Sequence, residues 1–414
     1  MSEFFEDREA VNHGEREAAL FGRLAGYVSE AVAVSEGLAA HLAGHDLAKV
    51  SSREALAALP VLRKSDLMEA QAKKPPFGGF ANVKALEGNR VFLSPGPIWE
   101  PQGLGADPWG SARALYAAGF RRGDVVHNAL SHHMTPGGFI LDSGALAVGC
   151  TVFPAGIGNT EMQVEAARDL QPVAYVGTPD YLKVILDKAD EMQVDLSCIT
   201  KALVSGGALF PSMRDAYRER GVNVLQCYAT ADLGTIAYES LVGSAPGEGM
   251  IVNEDLIVEI CRPGTGDPVA EGEVGELVVT NFSLAYPLVR FATGDLSAVL
   301  PGESACGRTN MRIKGWMGRA DQRTKVKGMF VDPKQIDMLV KRHNEIAAAR
   351  LSVVRDGDSD AMRLDVVASG QGDVDPSALQ ASLREITKLG GEVILVETLP
   401  NDGKVIDDQR DYES

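Results

Sequence analysis

The chain has 414 residues, of which 45% are hydrophobic, and its 57 acidic side chains outnumber 40 basic ones to leave a formal net charge of −17. A chain of this size and composition can bury a substantial hydrophobic core, which excludes a disordered, collagen-like or disulfide-stapled protein. The negative charge repels phosphate backbones and anionic lipid, so neither nucleic acid nor a membrane surface is an expected partner.

Disulfide, secretory and membrane signals are missing from the sequence. The cysteines, Cys150, Cys198, Cys227, Cys261 and Cys306, are odd in number and widely spaced. The acidic amino terminus lacks the layout of a signal peptide, and no apolar run approaches the ~18 residues of a membrane span. We therefore expect a soluble cytoplasmic protein.

The first part of the chain is predicted to be helical. Apolar residues three and four apart over residues 16–48 indicate amphipathic helices. Ser65 is the expected N-cap of a short following helix, with Asp66 near the positive end of that helix.

Apolar stretches alternate with helical patterns between residues 91 and 300. The predicted buried strands are Val125–Leu130, Thr151–Pro154, Val173–Gly177 and Lys201–Ser205, and the predicted helices are 159–171, 179–192 and 211–220. Such alternation indicates βαβ units and a largely parallel sheet. From residue 250 to 300, short strands with glycine turns indicate a smaller, more antiparallel layer.

A second domain is predicted beyond a break at residues 318–321. Residues 322–414 have an α+β pattern, with helices from about 333 to 347 and over 376–388. The predicted fold class is therefore α/β, with a large amino-terminal domain over 1–318 whose mainly parallel sheets are flanked by helices. A small α+β domain over 322–414 follows, and the hinge is expected near 319–321.

Two glycine- or carboxylate-bearing turns are candidates for a binding site. Ser205, Gly206 and Gly207 end a strand before a helix, where glycines let a ligand approach the backbone and the helix amino end favours anions. The alternative is an ordinary tight turn. Tyr228 and Asp232 follow the next strand, and Asp232 either recruits Mg²⁺ beside a phosphate or caps a helix.

Two further charged residues are candidates closer to the carboxyl terminus. Asp295 follows a Thr-Gly turn, where its carboxylate could accept hydrogen bonds from ribose hydroxyls or simply stabilise the turn. Lys404 follows Gly403 in a polar stretch and is either a mobile cation or an ordinary solvated charge.

The order and spacing of these segments resemble the adenylate-forming superfamily of acyl-CoA ligases. The pattern runs Ser-Gly-Gly, Tyr-x-Thr-x-Asp, Thr-Gly-Asp-Leu, Gly-Arg-x-Asp-x-x-x-Lys-x-x-Gly and Leu-Pro-x-x-Gly-Lys. Within that superfamily LPVLRKSDL, TPGGF and CGRTNMRIKGWMGRADQ are similar to segments of phenylacetate-CoA ligases, and the resemblance covers residues 55–414. It implies that ATP activates a carboxylic acid as an acyl-adenylate, that a small mobile domain then rotates, and that coenzyme A displaces AMP.

The resemblance also implies a role for each matched position. The nucleotide-binding residues would be Ser205, Gly206, Gly207, Tyr228, Ala229, Thr230, Asp295 and Arg319. Asp232 stands where the family has a Mg²⁺-binding Glu, and Asp321 matches the hinge. Lys404 matches the catalytic lysine, which stabilises charge that develops on the α-phosphate during adenylation. The implied cofactors and partners are ATP, Mg²⁺, coenzyme A and a small carboxylic acid, and a homodimer is compatible with the resemblance.

The chain departs from the family at the phosphate-binding loop, which is usually rich in Ser, Thr and Gly and ends in Lys-Pro. Ser94, Gly96 and Pro101 are retained, whereas Pro97, Ile98, Trp99 and Glu100 replace two threonines, a glycine and the lysine. Hydrogen-bond donors to the β- and γ-phosphates are lost, and Glu100 is expected to repel those phosphates. Either the loop caps the acid pocket with Trp99 as an apolar wall, or it is a rigid proline-rich surface turn.

Two histidines and two glycines extend the candidate site toward the acid. His132 and His133 follow a strand that should end at the cleft, just before Gly137 and Gly138. They would contact the carboxylate or ring of the acid, or else form an ordinary surface loop. With Met134, Phe139 and Trp99 nearby in sequence, an aromatic or medium-sized apolar acid is the expected substrate.

No structural zinc is expected, although some relatives hold one with cysteines and a histidine. Cys306 is retained, but Ser240 stands where a cysteine would be expected, and one thiolate cannot build a tetrahedral site.

Two functions remain open at this point. The register of Asp295, Asp321 and Lys404 favours an AMP-forming acid–CoA ligase. The altered loop favours a non-catalytic or repurposed relative that binds AMP, acyl-adenylate or acyl-CoA without activating ATP.

Overall fold

A computed structural model describes residues 3–320, 322, 324–356, 359–370, 372–400 and 405–410. The chain divides into two compact units, Met1–Gly318 and Arg319–Ser414. Helices pack on a large mixed sheet, and a smaller sheet lies in the same unit, so the predicted α/β fold class is confirmed. Among the described residues, none of the helices has the length and apolar character needed to cross a membrane.

Helices occur in both units of the chain. Within the described residues they are α1 His13–Val34, α2 Glu36–His41, α3 Arg53–Ala57, α4 Lys64–Lys73, α5 Ser111–Ala117, α6 Gly137–Val148, α7 Thr160–Leu170, α8 Pro179–Glu191, α9 Pro211–Glu219, α10 Pro333–Arg342 and α11 Pro376–Thr387. Short 3₁₀ turns occur at Asp7–Ala10, Leu47–Lys49 and Val83–Leu86.

The strands form sheets in both units. Within the described residues they are β1 Leu62–Arg63, β2 Val91–Ser94, β3 Ile98–Pro101, β4 Val125–Asn128, β5 Thr151–Phe153, β6 Ala174–Gly177, β7 Lys201–Val204, β8 Asn223–Thr230, β9 Gly234–Tyr238, β10 Leu241–Val242, β11 Ala245–Pro246, β12 Met250–Val252, β13 Ile257–Cys261, β14 Gly275–Thr280, β15 Phe291–Ser297, β16 Val299–Leu300, β17 Arg312–Ile313, β18 Thr324–Val326, β19 Met329–Val331, β20 Ile346–Asp356, β21 Ser359–Ala368, β22 Glu392–Leu395 and β23 Ile406–Asp408.

The large sheet has the order β16-β17-β12-β9-β8-β7-β6-β4-β5. Its strands β5, β4, β6, β7 and β8 run parallel, as the alternation of strands and helices predicts. Parallel strands covered by helices on their faces are built from apolar runs, and every residue of β6 is buried. The carboxyl ends of these strands share one edge, where ligands usually bind in open α/β sheets.

A smaller sheet carries the second part of the candidate site. Its order is β1-β15-β14-β13, with β13, β14 and β15 antiparallel and β1 parallel to β15. This sheet is the smaller, more antiparallel layer predicted between residues 250 and 300. The pairing of Leu62 with Phe291 places the start of α4 beside β15, which holds Asp295.

The helix α4 begins two residues earlier than its sequence predicts. Its N-cap is Arg63, whose backbone N–H donates a hydrogen bond to the Asp66 carboxylate at 3.2 Å. Ser65 therefore lies inside the first turn, and the prediction that it caps the helix is wrong. Asp66 satisfies an otherwise unpaired backbone donor, so a serine hydroxyl is not needed there.

The second unit is an α+β layer. Its described residues form the sheet β22-β21-β20-β23 with α10 and α11, around buried Leu351, Leu364 and Leu383. The helix predicted from about 333 to 347 ends at Arg342. His343 has an extended conformation (φ −116°, ψ 95°) and the strand β20 begins at Ile346.

Candidate functional site

The carboxylate of Asp295 is the centre of the candidate site in the first unit. It lies near the end of β15 and is 9% exposed. The Tyr228 hydroxyl donates to Asp295 Oδ2 at 2.6 Å, and the Trp316 indole N–H donates to Oδ1 at 3.0 Å. The Asp295 backbone N–H donates to Thr293 Oγ1 at 3.1 Å. Two predicted nucleotide residues from different sheets, Tyr228 and Asp295, are therefore brought into contact.

These two hydrogen bonds orient the Asp295 carboxylate as an acceptor for uncharged donors. A carboxylate oxygen can accept more than one hydrogen bond, so Asp295 can still accept from a pair of ligand hydroxyls. The two donors fix the plane of the carboxylate, which reduces the ordering cost of binding.

The Ser205–Gly207 turn is held between neighbouring strands at the carboxyl edge of the large sheet. Ser205 donates through its N–H to the Gly177 carbonyl at 3.0 Å, and through its hydroxyl to the Cys227 carbonyl at 2.9 Å. Gly206 has a φ of +74°, which glycine adopts without strain. The turn therefore presents backbone beside the end of β8.

The end of β8 has the irregular backbone expected next to a ligand site. The pairing of β8 with β9 shifts register between Tyr228 and Ala229, and Ala229 and Thr230 are half-buried. The Leu233 N–H donates to Thr230 Oγ1 at 3.2 Å, so the Thr230 hydroxyl proton is available to donate.

Asp232 lies deeper than its predicted role requires. Its side chain is 0% exposed, and the ammonium of Lys64, whose side chain is 27% exposed, donates to Oδ2 at 2.8 Å. The second oxygen, Oδ1, is buried and has no hydrogen-bond partner. Lys64 reaches this position because β1, immediately before it, pairs with β15.

These contacts do not fit the Mg²⁺ site that the resemblance implies at Asp232. Mg²⁺ prefers octahedral oxygen ligation and usually keeps several waters. Here an ammonium takes one carboxylate oxygen, and the other is shielded from solvent. Among the residues that the structure describes, no group of three or more His, Cys, Asp or Glu side chains is placed to hold a metal ion.

The altered phosphate loop is a β-hairpin. Strands β2 and β3 pair antiparallel, with Leu93 opposite Trp99. The Gln71 side chain holds the hairpin through both backbone groups of Trp99, each at 2.8 Å. The Leu93 N–H donates to the Met134 carbonyl at 2.8 Å, and the Trp99 side chain is 38% exposed. Gly96 lies in the turn between the two strands.

Glu100 points into the protein rather than toward solvent. It is 1% exposed, and the Ser94 hydroxyl donates to its Oε1 at 2.8 Å. Burial, followed by the neighbouring Asp232 carboxylate, raises the pKa of Glu100 well above its usual range. The Glu100 carboxyl is therefore turned into the protein, and its repulsion of the β- and γ-phosphates stays a prediction.

His132 lies beside an aromatic cluster formed by Phe139 and Phe92, the latter on strand β2 of the hairpin. Its ring meets Phe139 edge-on at 4.9 Å, and Phe139 also contacts Phe92 at 5.3 Å. Neither His132 ring nitrogen has a hydrogen-bond partner, and burial lowers the pKa of the ring. A Cβ at Gly138 would lie 2.6 Å from the imidazole, so glycine is needed there.

The remaining residues of the predicted acid pocket are arranged differently. His133 is exposed, and its backbone N–H donates to the Ser131 hydroxyl at 3.2 Å. Gly137 begins α6, and the Gly138 N–H donates to the Ser131 carbonyl at 2.7 Å.

Three predicted site residues belong to the hinge and the second domain. Arg319 is half-buried and belongs to the second unit. Asp321 and Lys404 lie outside the described residues, so their roles stay predictions.

Comparison with known proteins places the chain in a family. Residues 111–286 match the family model of AMP-binding enzymes. A phenylacetate-coenzyme A ligase from Pseudomonas putida is 32% identical over 328 residues, which cover 76% of this chain and 72% of the relative. The chain belongs to the phenylacetate-coenzyme A ligase family. Another member, from Thermus thermophilus, is 31% identical over 362 residues, covering 84% of this chain and 79% of that ligase.

Solved structures support the fold of this phenylacetate-coenzyme A ligase family member. A 2-hydroxyisobutyryl-CoA ligase in complex with 2-HIB-AMP and CoA has a TM-score of 0.83 at 24% identity, covering 99% of this chain and 93% of that one. The amide bond synthetase McbA from Marinactinospora thermotolerans has a TM-score of 0.53 at 19% identity, covering 76% and 67%. The prediction of an adenylate-forming, AMP-binding ligase-family member is confirmed.

Three contributors to the site escaped prediction. Lys64 and Trp316 both lie inside the quoted segments LPVLRKSDL and CGRTNMRIKGWMGRADQ, so their positions carried a signal. Gln71 lies in no such segment, and its contact with the hairpin depends on tertiary packing.

Proposed function

We propose that this protein joins a carboxylic acid to coenzyme A through an acyl-adenylate made from ATP. The observation that supports this most is the oriented Asp295 carboxylate, which Tyr228 and Trp316 hold near the end of β15. Its two oxygens are suited to the paired hydroxyls of a ribose. Membership of the phenylacetate-coenzyme A ligase family supports the same reaction.

Each residue that matches the family pattern then has a distinct proposed task. Ser205, Gly206 and Gly207 would line the adenine and acid pockets, and Thr230 would donate its hydroxyl proton to the α-phosphate. Lys404 would stabilise the charge that develops at the α-phosphate as the carboxylate attacks and pyrophosphate leaves. Coenzyme A thiol would then attack the acyl carbon and release AMP after the second unit turns about Asp321. Mg²⁺ would enter on the phosphates of ATP rather than on Asp232.

The acid is proposed to be aromatic or medium-sized and apolar. Phe92, Phe139 and His132 form a contiguous ring cluster, and the Arg90 guanidinium lies 4.7 Å from the Phe139 ring centre. We propose that this cluster faces the acid, where it would favour an apolar ring or chain over a polar acid.

A product assay tests this function. The purified chain is incubated with ATP, MgCl₂, coenzyme A and a panel of aryl and aliphatic acids, and acyl-CoA and AMP are measured by mass spectrometry. We expect AMP and acyl-CoA in equal amounts, and a loss of at least about a hundredfold in Lys404→Ala. The control is Lys341→Ala, an exposed lysine of α10 in the same unit, which should leave the rate unchanged. Absence of acyl-CoA with every acid would contradict the proposal.

A second candidate function is supported by the hairpin. Because Gln71 pins Trp99 and Pro97 has no N–H, the segment has few donors for a triphosphate. A relative that binds AMP, acyl-adenylate or acyl-CoA without activating ATP would have these features. Calorimetry and the product assay together distinguish the two functions. A non-catalytic relative would bind ATP no more tightly than AMP and would make no acyl-CoA, whereas a ligase would form acyl-CoA.

A further inference from the structure

A buried charge cluster lies beneath the hairpin, formed by Lys64, Asp232 and Glu100. The Lys64 ammonium contacts Asp232 Oδ2 at 2.8 Å. The Glu100 carboxyl is close enough to Asp232 for that carboxylate to raise its pKa, and its Oε1 accepts from Ser94 at 2.8 Å. Both carboxyl side chains are almost completely buried. The cluster joins α4, the hairpin and the β8–β9 turn, which are far apart in sequence.

Lys64 is the partly exposed member of this cluster. Its side chain is 27% exposed, whereas the Asp232 side chain is 0% exposed. A buried carboxylate needs a compensating positive charge, and Lys64 supplies it.

Glu100 also affects where the positive charge of this region comes from. It stands where the family has the loop lysine, so the usual cation of that loop is missing. With the glutamate turned inward against Asp232, the positive charge of the region comes from α4 instead of from the hairpin.

We infer that Lys64 supplies the cation of this site: its ammonium occupies, at Asp232, the position that the family resemblance assigns to Mg²⁺. Glu100 closes the other side of the Asp232 carboxylate. The protein therefore binds a nucleoside monophosphate without a divalent ion. The monophosphate part of this inference rests on the proposed nucleotide-binding function, whereas the exclusion of metal from Asp232 does not.

Binding of Mn²⁺ tests the metal part without nucleotide or turnover. Mn²⁺ substitutes for Mg²⁺ at oxygen sites and is followed by electron paramagnetic resonance. The unaltered chain and Asp232→Asn should give the same Mn²⁺ titration. In Lys64→Met the ammonium is gone and two carboxyl groups remain, so one Mn²⁺ site should appear, and the double variant Lys64→Met/Asp232→Asn should lose it. Lys73→Met, an exposed lysine on the same helix, is the matched control and should gain none.

Two results would overturn the inference. One is a stoichiometric Mn²⁺ site in the unaltered chain that Asp232→Asn abolishes. The other is a Lys64→Met variant that is folded by circular dichroism and still gains no site. If Lys64→Met does not fold, the comparison of the unaltered chain with Asp232→Asn decides the question by itself.

Calorimetry with AMP tests the nucleotide part. The Kd for AMP should change by less than about twofold between buffer with EDTA and buffer with MgCl₂. Tightening of more than about tenfold by MgCl₂ that Asp232→Asn removes would overturn the inference. If AMP does not bind under either condition, the proposed nucleotide function fails, and the Mn²⁺ titration still decides the role of Lys64.

Discussion

At the scale of single residues, the site depends on donors that orient one buried carboxylate. Tyr228 and Trp316 reach Asp295 from different parts of the chain, at 2.6 Å and 3.0 Å. A hydrogen bond to a charged group contributes about 1.5–3 kcal/mol, more than a bond between neutral groups. The orientation of Asp295 should therefore be sensitive to either donor.

Replacing Tyr228 by phenylalanine tests this dependence. Tyr228→Phe keeps the ring and removes the hydroxyl that donates to Asp295. We expect AMP to bind about five- to tenfold more weakly, because the carboxylate is then oriented by one donor fewer. The measurement is calorimetric titration with AMP.

The matched control is Tyr27→Phe, which removes a buried hydroxyl that donates to Asn281 at 3.1 Å in the same unit. It should leave the AMP affinity unaltered. Equal affinities in the unaltered chain and Tyr228→Phe would show that the hydroxyl does not support nucleotide binding.

At the scale of elements, the hairpin β2–β3 differs most from expectation. A glutamate in a polar, proline-containing segment is normally exposed, since charged side chains are seldom buried without a partner. Packing against α4 and the β8–β9 turn overrides that tendency and turns Glu100 inward. Local sequence cannot show this burial, because α4 lies about 30 positions before Glu100 and Asp232 lies more than a hundred positions after it.

The position of Lys64 could not be predicted from local sequence either. Its position follows from the pairing of β1 with β15, and β1 is only two residues long. So short a strand has no period that a sequence pattern could show. By contrast, β6 and β7 are largely buried apolar strands between clear helices, so the strand end that carries Ser205 could be predicted.

Gln71→Ala tests whether the hairpin is held by α4. The change removes two hydrogen bonds to the Trp99 backbone, so the Trp99 amide should exchange with solvent faster. The free energy of unfolding should fall by about 1–3 kcal/mol. Hydrogen exchange followed by mass spectrometry and urea unfolding measure these effects.

Gln102→Ala is the control for that change. The Gln102 side chain accepts one exposed hydrogen bond from Arg90 at 3.0 Å, so its loss should leave Trp99 protected. Unchanged exchange at Trp99 in Gln71→Ala would mean that other contacts hold the hairpin.

At the scale of the whole molecule, ion pairs join the amino-terminal residues to later parts of the first unit. Glu9 contacts Arg308 at 2.7 Å, and Arg8 contacts Asp255 at 2.7 Å. Beside them Glu254 is buried, and burial raises its pKa to about 7. Folding therefore favours the protonated form of Glu254 near neutral pH.

Stability should consequently depend on pH in a defined direction. A carboxyl whose folded pKa exceeds its unfolded value of 4.5 stabilises the fold most at low pH. That contribution is lost as pH rises through about 7. Between pH ~5 and ~8 the free energy of unfolding should fall by on the order of 2 kcal/mol from this group.

Glu254→Gln should reduce that fall, because the amide stays neutral throughout. Urea unfolding at several pH values measures it, with Glu248→Gln, an exposed glutamate, as the control that keeps the full dependence. The same slope in the unaltered chain and Glu254→Gln would contradict the assignment.

The central claim is that one nucleotide site activates an acid, and acid-dependent exchange of labelled pyrophosphate into ATP tests it most directly. Exchange requires adenylation to run in both directions and needs no coenzyme A. The account predicts exchange with at least one aryl or apolar acid, and its loss in Lys404→Ala and Asp295→Ala. A chain that binds AMP by calorimetry but shows no exchange with any acid of a broad panel would contradict it.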